Sequence, residues 1–248
     1  MRCFASSPSG PSCWSLPPSL WPERWPRARL EKIQLEKDPG WWQAMYQQRP
    51  GRSARSTWPE SYFSERLWVE RFPGAFEMSA LAVDPSKGRR TGDYSAIVFA
   101  GLSGGLVWID ASIDRRPPER TVSDAIGMSL GYVPDAVAVE ANAFQYLLAP
   151  EFDRQCRDRR VPSLPLQLVE QHTPKEMRIE RLGSYLLREK LRFRDTPGCR
   201  LLVRQLRDFP LSDHDDGPDA LELAIRMLRL MACRGGEDPG YSVEFVTT

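Results

Sequence analysis

Ala80-Leu81-Ala82-Val83-Asp84 and Ala136-Val137-Ala138-Val139-Glu140 carry one pattern twice. Small and branched residues alternate, and each run ends in an acid. Successive side chains of a strand point to opposite faces. Ala80, Ala82 and Asp84 therefore share one face, as do Ala136, Ala138 and Glu140. A right-handed helical crossover between the two strands would make them parallel. As neighbours, they would set both acids side by side at the carboxyl edge of a sheet, where open α/β sheets bind ligands.

Around these two runs, residues 78–84, 94–101 and 106–112 read as three strands. Ser103-Gly104-Gly105 joins the last two as a hairpin. A helix over 118–131, a strand over 135–140, a helix over 143–158 and a strand over 164–170 follow. Thr173 fits an N-cap with Pro174 at the first helical position. That helix runs to about residue 189, with Ile179, Leu182 and Leu186 on one face. Residues 191–193 form a small extra strand, and 198–208 and 218–232 two more helices. A meander followed by strand–helix units predicts an α/β fold: a mixed five-stranded sheet with helices on both faces.

Upstream, prolines at 8, 11, 17, 18, 22 and 26 predict a disordered Pro/Ser/Arg-rich tail over 1–29. Residues 30–75 read as helical pieces broken at Asp38-Pro39-Gly40, then a linker with aromatic anchors Trp58, Tyr62, Phe63 and Trp68. The main domain is expected over 76–248.

A net charge of +1 over 248 residues says nothing about partners, so any nucleic-acid signal must be local. The five cysteines have no metal-ligand spacing, and scattered thiols fit a reducing cytoplasm. No apolar run approaches the roughly 20 residues of a membrane span.

Asp84 and Glu140 as neighbours cannot both ionise cheaply without a cation between them. Asp213-His214-Asp215-Asp216-Gly217-Pro218-Asp219 opens the last helix and supplies a third acid. From 208 to 222 there are six acids and no Lys or Arg, whereas 175–207 holds ten Lys/Arg against four acids. Acids to hold a divalent ion beside a basic flank to meet phosphate are what a metal-dependent nuclease needs. Oxygen-only ligands select Mg²⁺ or Mn²⁺ over zinc. Lys175, Arg178 and Arg181 are the candidate phosphate contacts, positioning DNA without reading its sequence. Each feature also has a plainer reading. A strand-end acid is often a turn residue, and Asp219, Glu222, Arg226 and Arg229 fall at the spacing of a solvated helical stripe. The metal reading comes from their joint occurrence.

The same residues resemble a family. Asp84-Pro85-Ser86-Lys87-Gly88 with Gly92-Asp93-Tyr94-Ser95-Ala96-Ile97 looks like the first nuclease motif of phage terminase large subunits. Val137-Ala138-Val139-Glu140-Ala141-Asn142 resembles the second motif. The third is similar to His214-Asp215-Asp216-Gly217-Pro218-Asp219-Ala220-Leu221-Glu222. Thr173-Pro174-Lys175-Glu176-Met177-Arg178-Ile179 and Leu191-Arg192-Phe193 match the segment between. The stretch 41–50 looks like the end of the family's ATPase domain. The resemblance implies an RNase H-like endonuclease cutting double-stranded DNA during genome packaging in the host cytoplasm. It implies two divalent ions held by Asp84, Glu140 and either Asp216 or Asp219, with Asp93 as an accessory carboxylate. Implied partners are a portal protein, a terminase small subunit, or a separate ATPase chain. No GxxxxGK[ST] is present; Gly51-Arg52-Ser53-Ala54-Arg55-Ser56-Thr57 lacks the second Gly and the Lys. No ATP binding is therefore expected, and the chain reads as a nuclease half without its motor. Another RNase H-like nuclease such as a resolvase, or an inactive prophage remnant that only binds DNA or a portal, are the alternatives.

Overall fold

The structure, a computed structural model, describes residues 23–36, 42, 45–46, 56–85, 94–141, 145–170, 172–212, 214–232 and 243–245. Residues 1–22 of the expected tail lie outside this set, and helix α1 (Arg27–Glu36) already begins within that tail.

Strands β2 (Met78–Asp84), β3 (Ser95–Ser103) and β4 (Leu106–Asp114) form the expected meander. Gly104 and Gly105 turn it with φ of 61° and 69°. Two successive positive φ values suit a two-residue hairpin turn, and glycine adopts them without a Cβ penalty. Helix α2 (Pro118–Tyr132) then crosses to β5 (Ala136–Glu140), which lies parallel to β2. Helix α3 (Gln145–Arg159) crosses to β6 (Leu166–Val169), parallel to β5.

The expected five strands are the centre of a larger sheet. Strand β7 (Leu191–Arg194) pairs with β4, β1 (Trp68–Val69) with β7, and β8 (Val243–Phe245) with β6. The eight-stranded order is β1-β7-β4-β3-β2-β5-β6-β8. Strand β7 is the small extra strand expected over 191–193, whereas β1 and β8, two and three residues long, are too short for alternation to declare them. The linker expectation is corrected too: Trp58, Phe63 and Leu67 are buried in the main core, so the packed unit reaches back well before residue 76.

Two cores sandwich the sheet. Leu81, Val83, Ile97, Phe99, Val137 and Val139 face α2 and α3, meeting Val122, Ala125, Ile126, Leu148 and Phe152. Ala80, Ala82, Ala96, Ala100, Ala136 and Ala138 face the other way. Four helices belong to that side: α4 (Lys175–Glu180), α5 (Gly183–Leu187), α6 (Pro197–Asp208) and α7 (Asp216–Ala232). The small residues on the sheet, with Ala220 and Ala224 on α7, let helix and sheet backbones approach closely. Residues 217–228 of α7 are all buried.

The single helix expected from Thr173 is two short ones. Pro174, not Thr173, stands at the N-cap, without a side-chain cap bond. Leu182 and Tyr185 donate to carbonyls three residues back, tightening the turn around Gly183.

Candidate metal centre

Register brings the two strand-end acids together. Ala80, Leu81, Ala82 and Val83 of β2 stand opposite Ala136, Val137, Ala138 and Val139 of β5. One step further sets Asp84 beside Glu140 on adjacent parallel strands. A clamp at the far end fixes this register. The Asp135 carboxylate accepts from Ser79 N–H at 2.7 Å and from the Ser79 hydroxyl at 3.1 Å. A slip of one residue would turn Asp84 to the opposite face.

Helix α7 brings the third acid. Its first turn holds Asp216 and Asp219, and its buried apolar residues press it onto the alanine face of β2, β3 and β5. Asp219 is 5% exposed, so the solvated-stripe reading does not hold; Glu222 and Arg226 of the same stripe are buried as well.

The charges of this group act on one another. Burial pushes the Asp84 carboxyl well above the usual carboxylate range. Asp219, Asp216 and Glu140 add to that, while Lys175 opposes it. Burial lifts Asp219 to about 6 against the pull of Arg178 and Lys175, with Glu140 and Glu222 reinforcing the rise. Burial also raises Glu222, with Arg226, Arg178 and Arg181 opposing.

The cations expected to meet DNA are placed differently. Arg178 is buried, its guanidinium 2.9 Å from Asp219 Oδ1, 3.2 Å from Oδ2 and 4.0 Å from Glu140 Oε1. An arginine locked indoors is not a phosphate contact, and that expectation is corrected. Helical periodicity turns Arg178 inward beside Ile179. Lys175 Nζ stands 2.7 Å from Asp215, 3.7 Å from Asp219 and 3.9 Å from Asp216. Burial alone would lower its pKa, but Asp219, the bond to Asp215 and Asp84 raise it. Arg181 stands 3.8 Å from Glu222. Asp93 lies outside the described residues.

Among the described residues, no three His, Cys, Asp or Glu side chains enclose a ready metal cage. The carboxylates have closed around the Lys175 ammonium and the Arg178 fork instead. Even so, the donor set suits a hard cation. Asp219 Oδ1 is buried, and its 2.9 Å approach to Arg178 is too poorly aligned to count as a hydrogen bond. A buried acceptor left this way is stabilised by an ion.

A rim cluster was not foreseen. The Arg115 guanidinium lies 4.8 Å over the Tyr94 ring and 3.4 Å from His214 Nε2, and Tyr94 meets His214 edge-on at 4.9 Å. Tyr94 leads into β3 and His214 precedes α7, so the cluster borders the carboxylates. The signal was the Arg115-Arg116 pair just after β4. Arg116 itself is buried, binding Ser95, Ser112 and Asp124 and tying the β3–β4 end to α2. A cavity of about 720 Å³ lies elsewhere: Leu102, Val107, Met177 and Tyr185 line it beside the β3–β4 turn, at the opposite end of the sheet.

No family model and no curated protein matches the sequence. Among solved structures, the large terminase of a thermophilic bacteriophage superposes with a TM-score of 0.51 and 12% identity, over 82% of this chain and 50% of its own. The chain has the fold of part of a large terminase. The same phage protein in complex with ATP-gamma-S gives 0.52 and 12% identity over 79% and 51%. This chain thus spans about half the length of the terminase it matches. The large terminase nuclease from thermophilic phage G20c with bound magnesium aligns over 70% of this chain and 98% of its own, at 15% identity and a TM-score of 0.49, too loosely to carry weight. Among the described residues, no helix is long and apolar enough to cross a membrane.

Proposed function

We propose that this chain is a metal-dependent endonuclease of the terminase type, cutting double-stranded DNA during phage genome packaging in the host cytoplasm. One observation carries the reading: three separate elements deliver Asp84, Glu140 and Asp219 to one end of the sheet, where burial and mutual repulsion call for a cation. Two Mg²⁺ or Mn²⁺ ions bound there supply the Lewis acidity for phosphodiester hydrolysis. Asp84, Glu140 and Asp219 are the main ligands. Asp219 is preferred to Asp216 because it is the more buried and lies within reach of the Arg178 that also faces Glu140. Asp216, at the mouth, and Asp93 are accessory. Arg178 is a positioning residue that holds Asp219 toward Glu140. Arg115 of the Arg115–Tyr94–His214 rim offers a charge to the phosphate backbone, and Arg181 adds positive field. The partners of a packaging motor, a portal protein, a small subunit and a separate ATPase chain, belong to the same proposal.

Purified protein should nick supercoiled plasmid with Mn²⁺ and lose that activity in EDTA. Asp84→Asn is near-isosteric but neutral, so it should abolish cutting and leave the circular dichroism spectrum unchanged. Cutting equal to wild type by Asp84→Asn would place any activity elsewhere. DNA binding with no cutting in either Mg²⁺ or Mn²⁺ would favour an inactive remnant, and cutting confined to four-way junctions would favour a resolvase.

A further inference from the structure

Two cations serve the carboxylate cluster, and they are built differently. Arg178 is 4% exposed and donates one hydrogen bond to Asp219 Oδ2 at 3.2 Å, with its other arm in ion-pair contact with Oδ1 at 2.9 Å. It is fixed by the packing around it. Lys175 keeps 32% of its side chain in solvent and reaches the cluster from the mouth. A lysine stem is flexible in kind, and its charge is a point rather than a fork. One short contact, to Asp215 at 2.7 Å, tethers it, with Asp219 and Asp216 behind at 3.7 and 3.9 Å.

Local preference does not explain this position. Lys175 is the first residue of α4, where a helix carries partial positive charge and disfavours a cation. The carboxylates of α7 draw it there, and its ammonium stands against oxygens of Asp219 and Asp216 that an ion would need.

Resting on the metal-centre reading above, we infer that Lys175 is a tethered counter-ion whose ammonium stands in for a divalent ion in the metal-free protein and is displaced when the ion binds. Ammonium and ion compete for the same oxygens and repel each other, so they do not share the site. Lys175 leaves by rotating about its own side-chain bonds, with no change of backbone. Its charge then sits over the mouth, beside an arriving phosphate. One residue thus keeps the empty site from bursting apart and sets the ion concentration at which the site fills.

The test is Mn²⁺ binding by calorimetry on the full chain, with Asp84→Asn as the blank. Lys175→Met should bind Mn²⁺ about tenfold more tightly than wild type, the scale expected for removing a partly screened charge close to the ion. Lys175→Arg keeps the charge and should stay near wild type. Without metal, Lys175→Met should melt below wild type, and saturating Mn²⁺ should close that gap, because the ion restores what the ammonium supplied. Lys175→Gln repeats the measurement should the methionine variant fail to fold. Equal or weaker Mn²⁺ binding by both neutral variants would overturn the counter-ion role while leaving the metal centre standing. No binding by wild type or either variant would remove the metal centre, and this inference with it. Binding by the variants alone would overturn the displacement, because the ion would then never remove Lys175 from the site.

Discussion

Asp219 should make the metal-free protein lose stability as pH rises through the mildly acidic range, and Asp219→Asn should weaken that trend. The carboxyl is 5% exposed, and burial lifts it from 3.8 to about 6, despite Arg178 and Lys175. Between those values the folded chain holds a proton that the unfolded chain has released. Stability falls with pH wherever the folded state binds more protons. The loss therefore starts near 3.8 and is complete above about 6. It amounts to about 3 kcal/mol in all, with about 1.4 kcal/mol of it between roughly pH 5 and 7.5. Asp84 and Glu222, both raised, push the same way. This is the reverse of the usual carboxylate, which is paired in the fold and stabilises as it ionises. The assay is urea unfolding in EDTA across that range, for wild type and Asp219→Asn. The difference between the two curves isolates Asp219 together with its coupling to Asp84, Lys175, Glu140 and Glu222. With saturating Mn²⁺ the wild-type trend should turn over, because the ion favours the ionised carboxyl. Parallel curves for the two proteins in EDTA would overturn this account, since Asp219 would then titrate alike folded and unfolded.

Arg178→Met strips a buried carboxylate of its fork, so it should cost about 3–5 kcal/mol in urea unfolding at neutral pH; a loss within experimental error would mean that Asp219 is held by something else. Gly198→Ala should be poorly tolerated, because its Cβ would sit 1.9 Å from the Ala111 carbonyl oxygen where α6 meets β4. Backbone cannot yield as a side chain would, and a drop in thermal midpoint checks this. Arg115→Ala should weaken binding of duplex DNA and flatten its salt dependence by about one counterion in a fluorescence-anisotropy titration, with Mn²⁺ affinity unchanged. An unaltered salt slope would take the rim out of the DNA path.

The centre of the fold was legible because its strands are long enough for alternation to show, and because two of them end in matched acids. The edges were not. Trp68–Val69 and Val243–Phe245 are strands only because a neighbour supplies hydrogen bonds, and nothing in two or three residues encodes that. The split between α4 and α5 was hidden for a different reason. Ile179, Leu182 and Leu186 are all buried on one side, so the apolar period runs straight through the break. Periodicity reports which side chains face the core, not whether the backbone between them stays helical.

At the site, Asp84 and Glu140 could be read from the strands, whereas the fate of the charged helices could not. Asp219, Glu222 and Arg226 have the same spacing on a solvated stripe as on a buried one. What decides is whether another charged element covers them, and α4 does. A carboxylate cluster buried for an ion must also be held together when the ion is absent, so the fold has to bring cations inside. Part of the basic stretch 175–207 serves that need: Lys175 and Arg178 turn to Asp215, Asp216 and Asp219, and Arg181 to Glu222. Excess positive charge next to an acidic helix is therefore ambiguous in a sequence. It marks a surface for phosphate only where the basic residues are out of register with the acids. Here Lys175 and Arg178 both reach Asp219, from the mouth and from within, and that shared contact separates internal counter-ions from a DNA-binding face.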